Sequence, residues 1–422
     1  AYVIGIAFAL SGHASWFFLG LMSALTALVG ICYMIVCRSY PDGGGVYSSV
    51  KHRSQFLAVI GAFLLIADYV VTASLSALDA FHYFNFPNPE LWAIAAILAI
   101  GVINWVGPTK GGDLATLIAL VASVAAGVLF LSTLPHLPHV DLQLPREGWT
   151  QNWGHFVGIV LALSGVEAVA NMTGIMVEPV GKTSRRAIWP VLLEVSVLTF
   201  LLGIAMNAVP NLTGHTEDML RALGTHYIGP WYGVFISVVF GFLLLSAANT
   251  AITDLVSVQF LMAKDRELPP IFAKLNRFGM PALALIVATA LPCLVLLVEH
   301  NVVELAALYA IGVVGAITLN LGATAANFDL KLNFRDRALL CAGSLILFFI
   351  EITIAYQKRS ALAFALTVLG TGLILRFLAK VVIPIRVPVL APTVNLKTVS
   401  EAKEIEHLYK STSLLAHKTV NP

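Results

Sequence analysis

Charge is scarce in this sequence. Only 11% of its 422 residues are Asp, Glu, Lys or Arg, where about a quarter is usual for soluble domains. The two signs nearly cancel at a formal net charge of +2, so no strongly basic surface points to nucleic acid. Cysteine is also sparse. Cys32, Cys37, Cys293 and Cys341 all fall within apolar runs, which argues against a disulfide framework or a C-x-x-C metal site and for small core-filling side chains. There is no H-E-x-x-H pair, no G-x-S-x-G elbow and no Ser, His and Asp set in a plausible soluble domain, so the chain carries no enzyme signature. Gly43, Gly44 and Gly45 lack the G-x-x-x-x-G-K-[ST] frame of a phosphate loop. The first residues lack a basic n-region and a small-residue cleavage site, which argues against a signal peptide.

What fills the space left by charge is apolar: 58% of residues are hydrophobic and mean hydropathy is +0.86. The chain therefore reads as an all-α, multi-pass membrane protein whose first partner is the lipid bilayer. Apolar runs of about 20 residues, enough to cross a hydrocarbon core, lie near 14–38, 56–82, 90–106, 113–133, 153–176, 187–209, 231–261, 281–299, 302–323, 338–356 and 361–383. These are eleven full spans, preceded by residues 1–10, which read as the outer part of a twelfth helix. Alternate loops carry Arg38, Lys51 and Arg53; Lys110; Lys182, Arg185 and Arg186; Lys264, Arg266, Lys274 and Arg277; and Lys331, Arg335 and Arg337. The loops between them hold only Arg146, Arg221, Lys358 and Arg359. The positive-inside rule makes the first set cytoplasmic, and the C-terminal tail with it.

One carboxylate stands out against this background. Asp68 lies near the middle of the apolar run 56–81 and is followed by Tyr69. An ionisable group at mid-bilayer costs about 2.5–3.5 kcal/mol on insertion scales, so it is retained mainly where it faces a pathway, a partner or a bound ion. Thr72, Ser76 and Asp79 follow Asp68 at helical spacing and share its face, which predicts either a wet route outward or interhelical packing bonds. A second irregular stretch, Ser164-Gly165-Val166-Glu167-Ala168-Val169-Ala170-Asn171, puts glycine beside an acid inside a span and predicts an unwound helix of the kind that forms midplane sites. Glu167 there reads equally as a proton carrier or as a carboxylate that satisfies freed backbone amides. Gly43, Gly44 and Gly45 close the span before them, as a flexible helix stop or as a gating loop. Asp254, after Ser246-Ala247-Ala248-Asn249-Thr250, is a secondary candidate with Asn249. Glu304 and Glu351 lie toward span ends, and Glu194 has no flanking break or second polar group.

Three motifs carry a family resemblance. Tyr40-Pro41-Asp42-Gly43-Gly44-Gly45-Val46-Tyr47, Ser164-Gly165-Val166-Glu167-Ala168 and Leu261-Met262-Ala263-Lys264-Asp265-Arg266-Glu267-Leu268-Pro269 together resemble the amino acid, polyamine and organocation (APC) superfamily. The resemblance implies a LeuT-like fold of two inverted five-helix repeats plus two extra helices, with the first helix incomplete. Within 1–383 the first repeat and the start of the sixth helix would occupy most of 1–176, the second repeat 153–323, and helices eleven and twelve 338–383. Residues 384–422 would be a cytoplasmic tail or the stump of a regulatory domain. Ala1-Tyr2, Leu65-Ile66-Ala67-Asp68-Tyr69-Val70-Val71-Thr72, Ala247-Ala248-Asn249-Thr250-Ala251 with Asp254, and Leu308-Tyr309-Ala310-Ile311-Gly312-Val313 are similar to the KimA-type potassium importers, relatives of the KUP potassium uptake systems.

That resemblance implies potassium as substrate, a proton as coupling ion with sodium as the alternative, no cofactor and no transition metal. It also implies a homodimer in the plasma (inner) membrane. Tyr2, Asp68, Tyr69, Thr72, Ser164 and Tyr309 would line the potassium pathway, although Ser164 stands where the family has Thr. The family's first-helix Asp, seven residues before the Tyr matched by Tyr2, would precede residue 1. The oxygen donors suit a hard cation. Burial favours a protonated carboxyl and a bound cation an ionised one, so Asp68 or Glu167 is placed to exchange a proton for the ion. Two other functions fit the same motifs: an amino acid or polyamine permease, and a nutrient sensor that keeps the fold without transport.

Overall fold

The structure, a computed structural model, describes residues 2–107, 111–140, 142–163, 165–209, 212 and 214–381. The expected tail at 384–422 lies outside the described residues. Helices account for nearly all of the rest, and no strand occurs among the described residues. In chain order they are α1 (Tyr2–Ser11), α2 (Ser15–Ser39), α3 (Val46–Lys51), α4 (Gln55–Phe84), α5 (Pro89–Trp105), α6 (Gly111–Thr133), α7 (Trp149–Gly158), α8 (Val166–Asn171), α9 (Val180–Leu193), α10 (Thr199–Ala205), α11 (Met219–Tyr227), α12 (Pro230–Lys264), α13 (Ala282–Val298), α14 (Val302–Ala326), α15 (Phe334–Gln357) and α16 (Arg359–Val381).

Their ends follow local chemistry. The Ser54 hydroxyl accepts the Leu57 amide at 3.3 Å to start α4, and Asn301 accepts the amides of Val303 and Glu304 to start α14, each filling donors that a first helical turn leaves open. Asn85 ends α4 in the left-handed region at φ 58°, a conformation Asn tolerates better than most residues. Pro89 then opens α5, where its missing N–H costs nothing.

Eight helical runs among the described residues are long and apolar enough to cross a membrane, and α5 and α13 add two shorter apolar helices. The expected span at 187–209 belongs to a longer helical run that starts at Val180. The expected span at 153–176 is broken into α7, two single turns and α8. Burial separates centre from rim. In α4 and α14 the apolar windows are 72% and 78% buried, against 17% in α16, so α4 and α14 form the interior and any central site must be built on them.

The basic loops meet at one end of the bundle. Arg38 pairs with Asp336 at 2.7 Å and Lys51 with Asp265 at 2.5 Å. Tyr47 of α3 donates to the same Asp265 carboxyl at 2.7 Å. Glu267, with a fully buried side chain, accepts from Gln55 at 2.6 Å, from Lys380 at 2.8 Å and from Arg376. The Leu261–Pro269 motif thus ties α3, α4 and α16 to the end of α12, using two carboxylates that each hold more than one partner. At the opposite end His82 pairs with Glu217 and Lys358 with Glu304.

Three sequence expectations change. Glu194 does have a break and a polar partner: it opens a π-helical stretch, Glu194–Leu198, four residues after Pro190, and accepts the Ser123 hydroxyl at 2.6 Å. Glu351 faces inward rather than lying idle near a span end, because a Cβ built on Gly315 would sit 3.1 Å from its Oε1. Cys341 is exposed on α15, unlike the other three cysteines. An outward-facing thiol on a lipid-facing helix needs no packing role.

Candidate functional site

The site begins with α4. Asp68 is 1% exposed, and its helix gives it one hydroxyl partner: Thr72 donates to the Asp68 main-chain oxygen at 2.8 Å and approaches Oδ1 at 3.0 Å. Oδ2 is buried and takes no hydrogen bond from the described residues. Unpartnered buried carboxylate oxygens are uncommon, and Asp79 and Glu351 share this feature with Asp68; a proton, a water or an ion can take the missing partner's place. Further along the same face Ser76 and Asp79 are also buried, so a route along this stripe is closed here.

The broken helix supplies the second wall. Gly165 has φ +102°, a left-handed conformation that L side chains avoid, and it caps α8. Both oxygens of Glu167 accept the Gly165 amide at 3.0 Å. The Glu167 carboxyl therefore satisfies an amide freed by the break, while remaining buried at 6% exposure and close enough to Asp68 to act on its charge. At the far end of α8, Asn171 donates through Nδ2 to the Tyr69 hydroxyl in a short hydrogen bond, locking α8 to α4.

Asp254 of α12 completes an acidic group. It lies within electrostatic range of Asp68, Tyr69 and Glu167. The three carboxyls do not converge as a metal cage, since no cluster of three or more His, Cys, Asp and Glu residues able to hold a metal ion occurs among the described residues. Among the described residues the buried polar side chains include no Lys or Arg. Like charges crowded in a low dielectric repel strongly, so a cation or protons must accompany them. Asn249 takes no part. It is exposed on α12 and accepts from Asn104 of α5 at 2.8 Å, an interhelical amide pair of the kind that holds bundles together.

Gly44 and Gly45 are structural contacts of the break, whereas Gly43 is part-exposed and meets only the local Ser48. The Gly44 amide donates to Thr173 Oγ1 at 2.6 Å and its carbonyl accepts from Asn320 Nδ2 at 3.1 Å. Asn320 Oδ1 in turn accepts the Ser49 hydroxyl at 2.7 Å. Gly44 and Gly45 are buried, and a Cβ at Gly44 would stand 3.3 Å from the Ala170 carbonyl. The loop links the turn after α8 to α14.

Tyr309 is 1% exposed on α14, one turn before Gly312, whose missing side chain admits the backbone of α4 at Asp68. Two residues not anticipated from the sequence join the group: the buried Tyr33 of α2, which meets Asn320, and Asn320 itself, 0% exposed. An uncharged amide buried in an apolar span was the available signal. The Tyr2 side chain and Ser164 lie outside the described residues.

The family model for amino acid permeases matches residues 1–328. The chain is also similar to the potassium transporter KimA of Bacillus subtilis strain 168, 24% identical over 341 residues that cover 74% of this chain and 55% of the relative. The chain spans about half the length of that relative.

Proposed function

We propose, starting from the fact that the chain belongs to the amino acid permease family, that this membrane transporter takes up potassium together with protons through a midplane site. The observation that carries this reading is the buried Asp68 Oδ2, which takes no hydrogen bond from the described residues, on a carboxyl within electrostatic range of Glu167 and Asp254. In this reading Asp68 holds a desolvated monovalent cation, with Tyr69, Thr72, Tyr309 and the carbonyls of the broken helix as neutral oxygen donors. Tyr2 and Ser164 would complete the pathway. In this reading a proton and the cation alternate on Asp68, and Glu167 holds the break in shape as it takes part in the exchange. Gly165 and Asn171 let α8 reorient, while Gly43, Gly44 and Gly45 form the inner seal that must open for release. Asp254 modulates the field from α12.

The basic end faces the cytoplasm in this proposal, the two inverted repeats surround the site, and two copies pair in the plasma membrane. The similarity to a potassium transporter supports the choice of ion. The test is uptake by the purified chain in liposomes under an inward proton gradient. Accumulation of rubidium with alkalinisation outside is expected; movement of labelled amino acids without rubidium would overturn the proposal. A second reading, an organic-cation or amino acid permease, draws on the family match, and competition of a polyamine with rubidium would favour it.

A further inference from the structure

A separate feature lies on the lipid-facing side of the bundle, away from the acidic group. A cavity of about 550 Å³ runs between α5 and α13. Its walls are apolar side chains such as Leu98, Val102 and Ile286, exposed by 51%, 70% and 51%. Its floor is where the two helices touch: a Cβ on Gly101 would stand 2.6 Å from Thr289 Oγ1, so glycine brings the helices close and leaves the groove above them. The Thr289 hydroxyl is spent on the Leu285 carbonyl at 2.8 Å, which leaves the floor without a free donor.

The rim at the basic end is different. Arg277 and Phe278 line it, on a turn built by one side chain. Asn276 Oδ1 accepts the amides of Phe278 at 2.8 Å and Met280 at 3.0 Å, while Nδ2 donates to the Trp105 carbonyl at 2.9 Å. The turn is therefore pinned to the end of α5, with Arg277 beside the groove mouth. The Arg277 guanidinium lies 4.6 Å from the Phe278 ring centre, and no carboxylate pairs with it among the described residues. Lys274 and the exposed Leu275 share the turn, the mixture of cations and apolar side chains typical of a membrane interface.

We infer that this groove holds an anionic phospholipid of the leaflet on the basic side, its acyl chain between α5 and α13 and its phosphate on Arg277. Charge complementarity selects the headgroup. An unpaired guanidinium at interface depth binds phosphate through a charge-assisted fork, and basic pockets between membrane helices recognise anionic lipids in this way. The cavity volume falls within the range of small-molecule sites, about 300–1,000 Å³.

Thermal melting of the purified chain in neutral detergent, with phosphatidylglycerol, phosphatidylcholine or inorganic phosphate added, tests this. Phosphatidylglycerol is expected to raise the melting temperature more than the other two. Arg277→Gln should abolish that excess. Arg185→Gln, which removes an exposed charge from the same end but not from the groove, should preserve it. Val102→Trp, which fills the groove from a lipid-exposed position, should also remove it. An excess that survives in Arg277→Gln or in Val102→Trp overturns the inference, as does an equal response to phosphatidylcholine. An equal response to inorganic phosphate overturns it too, leaving an anion contact without a lipid.

Discussion

Gly312 of α14 lies directly against the backbone of Asp68: a Cβ built there would stand 2.8 Å from the Asp68 amide nitrogen and 2.9 Å from the Leu64 carbonyl oxygen. Both obstacles are main chain, so a methyl group cannot be accommodated by a rotamer change and α4 must shift. Overpacking of this kind costs about 1–3 kcal/mol. Gly312→Ala is expected to lower the melting temperature and to abolish rubidium uptake by moving Asp68. Gly315→Ala provides the contrast, since its Cβ would meet only the ends of the Leu64 and Glu351 side chains. If the two variants melt and transport alike, the contact does not position Asp68.

For Asp68 itself, stability and activity should part. Oδ2 takes no hydrogen bond from the described residues, and Glu167 and Asp254 repel the ionised carboxylate. Asp68→Asn keeps the shape and removes that repulsion, so we predict a melting temperature equal to or above that of the parent. Proton-coupled rubidium uptake should be lost. Uptake and co-transport at parental rates in the folded variant would remove Asp68 from the mechanism.

The bond between Tyr69 and Asn171 joins α4 to the short helix after the break. Tyr69→Phe leaves the half-buried Asn171 amide without this acceptor, which costs about 1 kcal/mol, the lower end of the range for an unsatisfied group. Asn171→Ala leaves the buried Tyr69 hydroxyl without this donor and should cost a similar amount. If Tyr69 also contacts the ion, Tyr69→Phe raises the KM for rubidium while Asn171→Ala acts mainly through stability. Parallel changes in both variants would assign Tyr69 a packing role.

These sites differ in how far sequence alone reveals them. Long apolar runs locate the spans because a bilayer imposes a length, and Asp68 is visible because charge within such a run is costly. The break at Gly165 is equally visible, since glycine and an acid interrupt the run. The partners are another matter. Gly44 meets Thr173 and Asn320 across 129 and 276 residues of chain, and no local pattern encodes that meeting. Asn320 is instructive: it sits inside a span, as Asp68 does, but an uncharged amide carries a smaller penalty and so a weaker signal. Glu194 was hidden for a related reason, because its partner Ser123 is on α6 and its π turn follows from Pro190 a turn earlier.

Glu267 offers a test of the basic end. Its buried carboxylate accepts from Gln55, Arg376 and Lys380, so Glu267→Ala strands two cations at once. Removing one partner from a buried pair costs about 3–5 kcal/mol. Lys380 is 41% exposed and can turn to water, which favours the lower end. Glu267→Gln keeps one acceptor and should fall between parent and Ala in thermal melts. A Glu267→Ala protein as stable as its parent would show that α16 is held by its apolar contacts alone.

Asp265 extends the same end into a pH dependence. Burial alone would raise its pKa, but hydrogen bonds from Lys51 and Tyr47, with the Lys51 charge, hold the carboxyl below its ordinary value. Tyr47 is shifted upward, by burial first and by Asp265 second, so its hydroxyl stays a donor through the neutral range. A depressed carboxylate pKa means that the unfolded chain takes up its proton first as pH falls. The contribution is therefore fully present above the unfolded value of about 4 and is lost as pH drops through the lower folded value. The site is partly exposed and solvent screens it, so the effect is modest, about 0.5–1 kcal/mol. Melting the parent and Asp265→Asn side by side from pH 7 to pH 3 should show a gap that is constant above about pH 5 and closes below about pH 4. A gap that persists at pH 3 would mean that Asp265 stabilises this end through its shape and neutral hydrogen bonds, not through its charge.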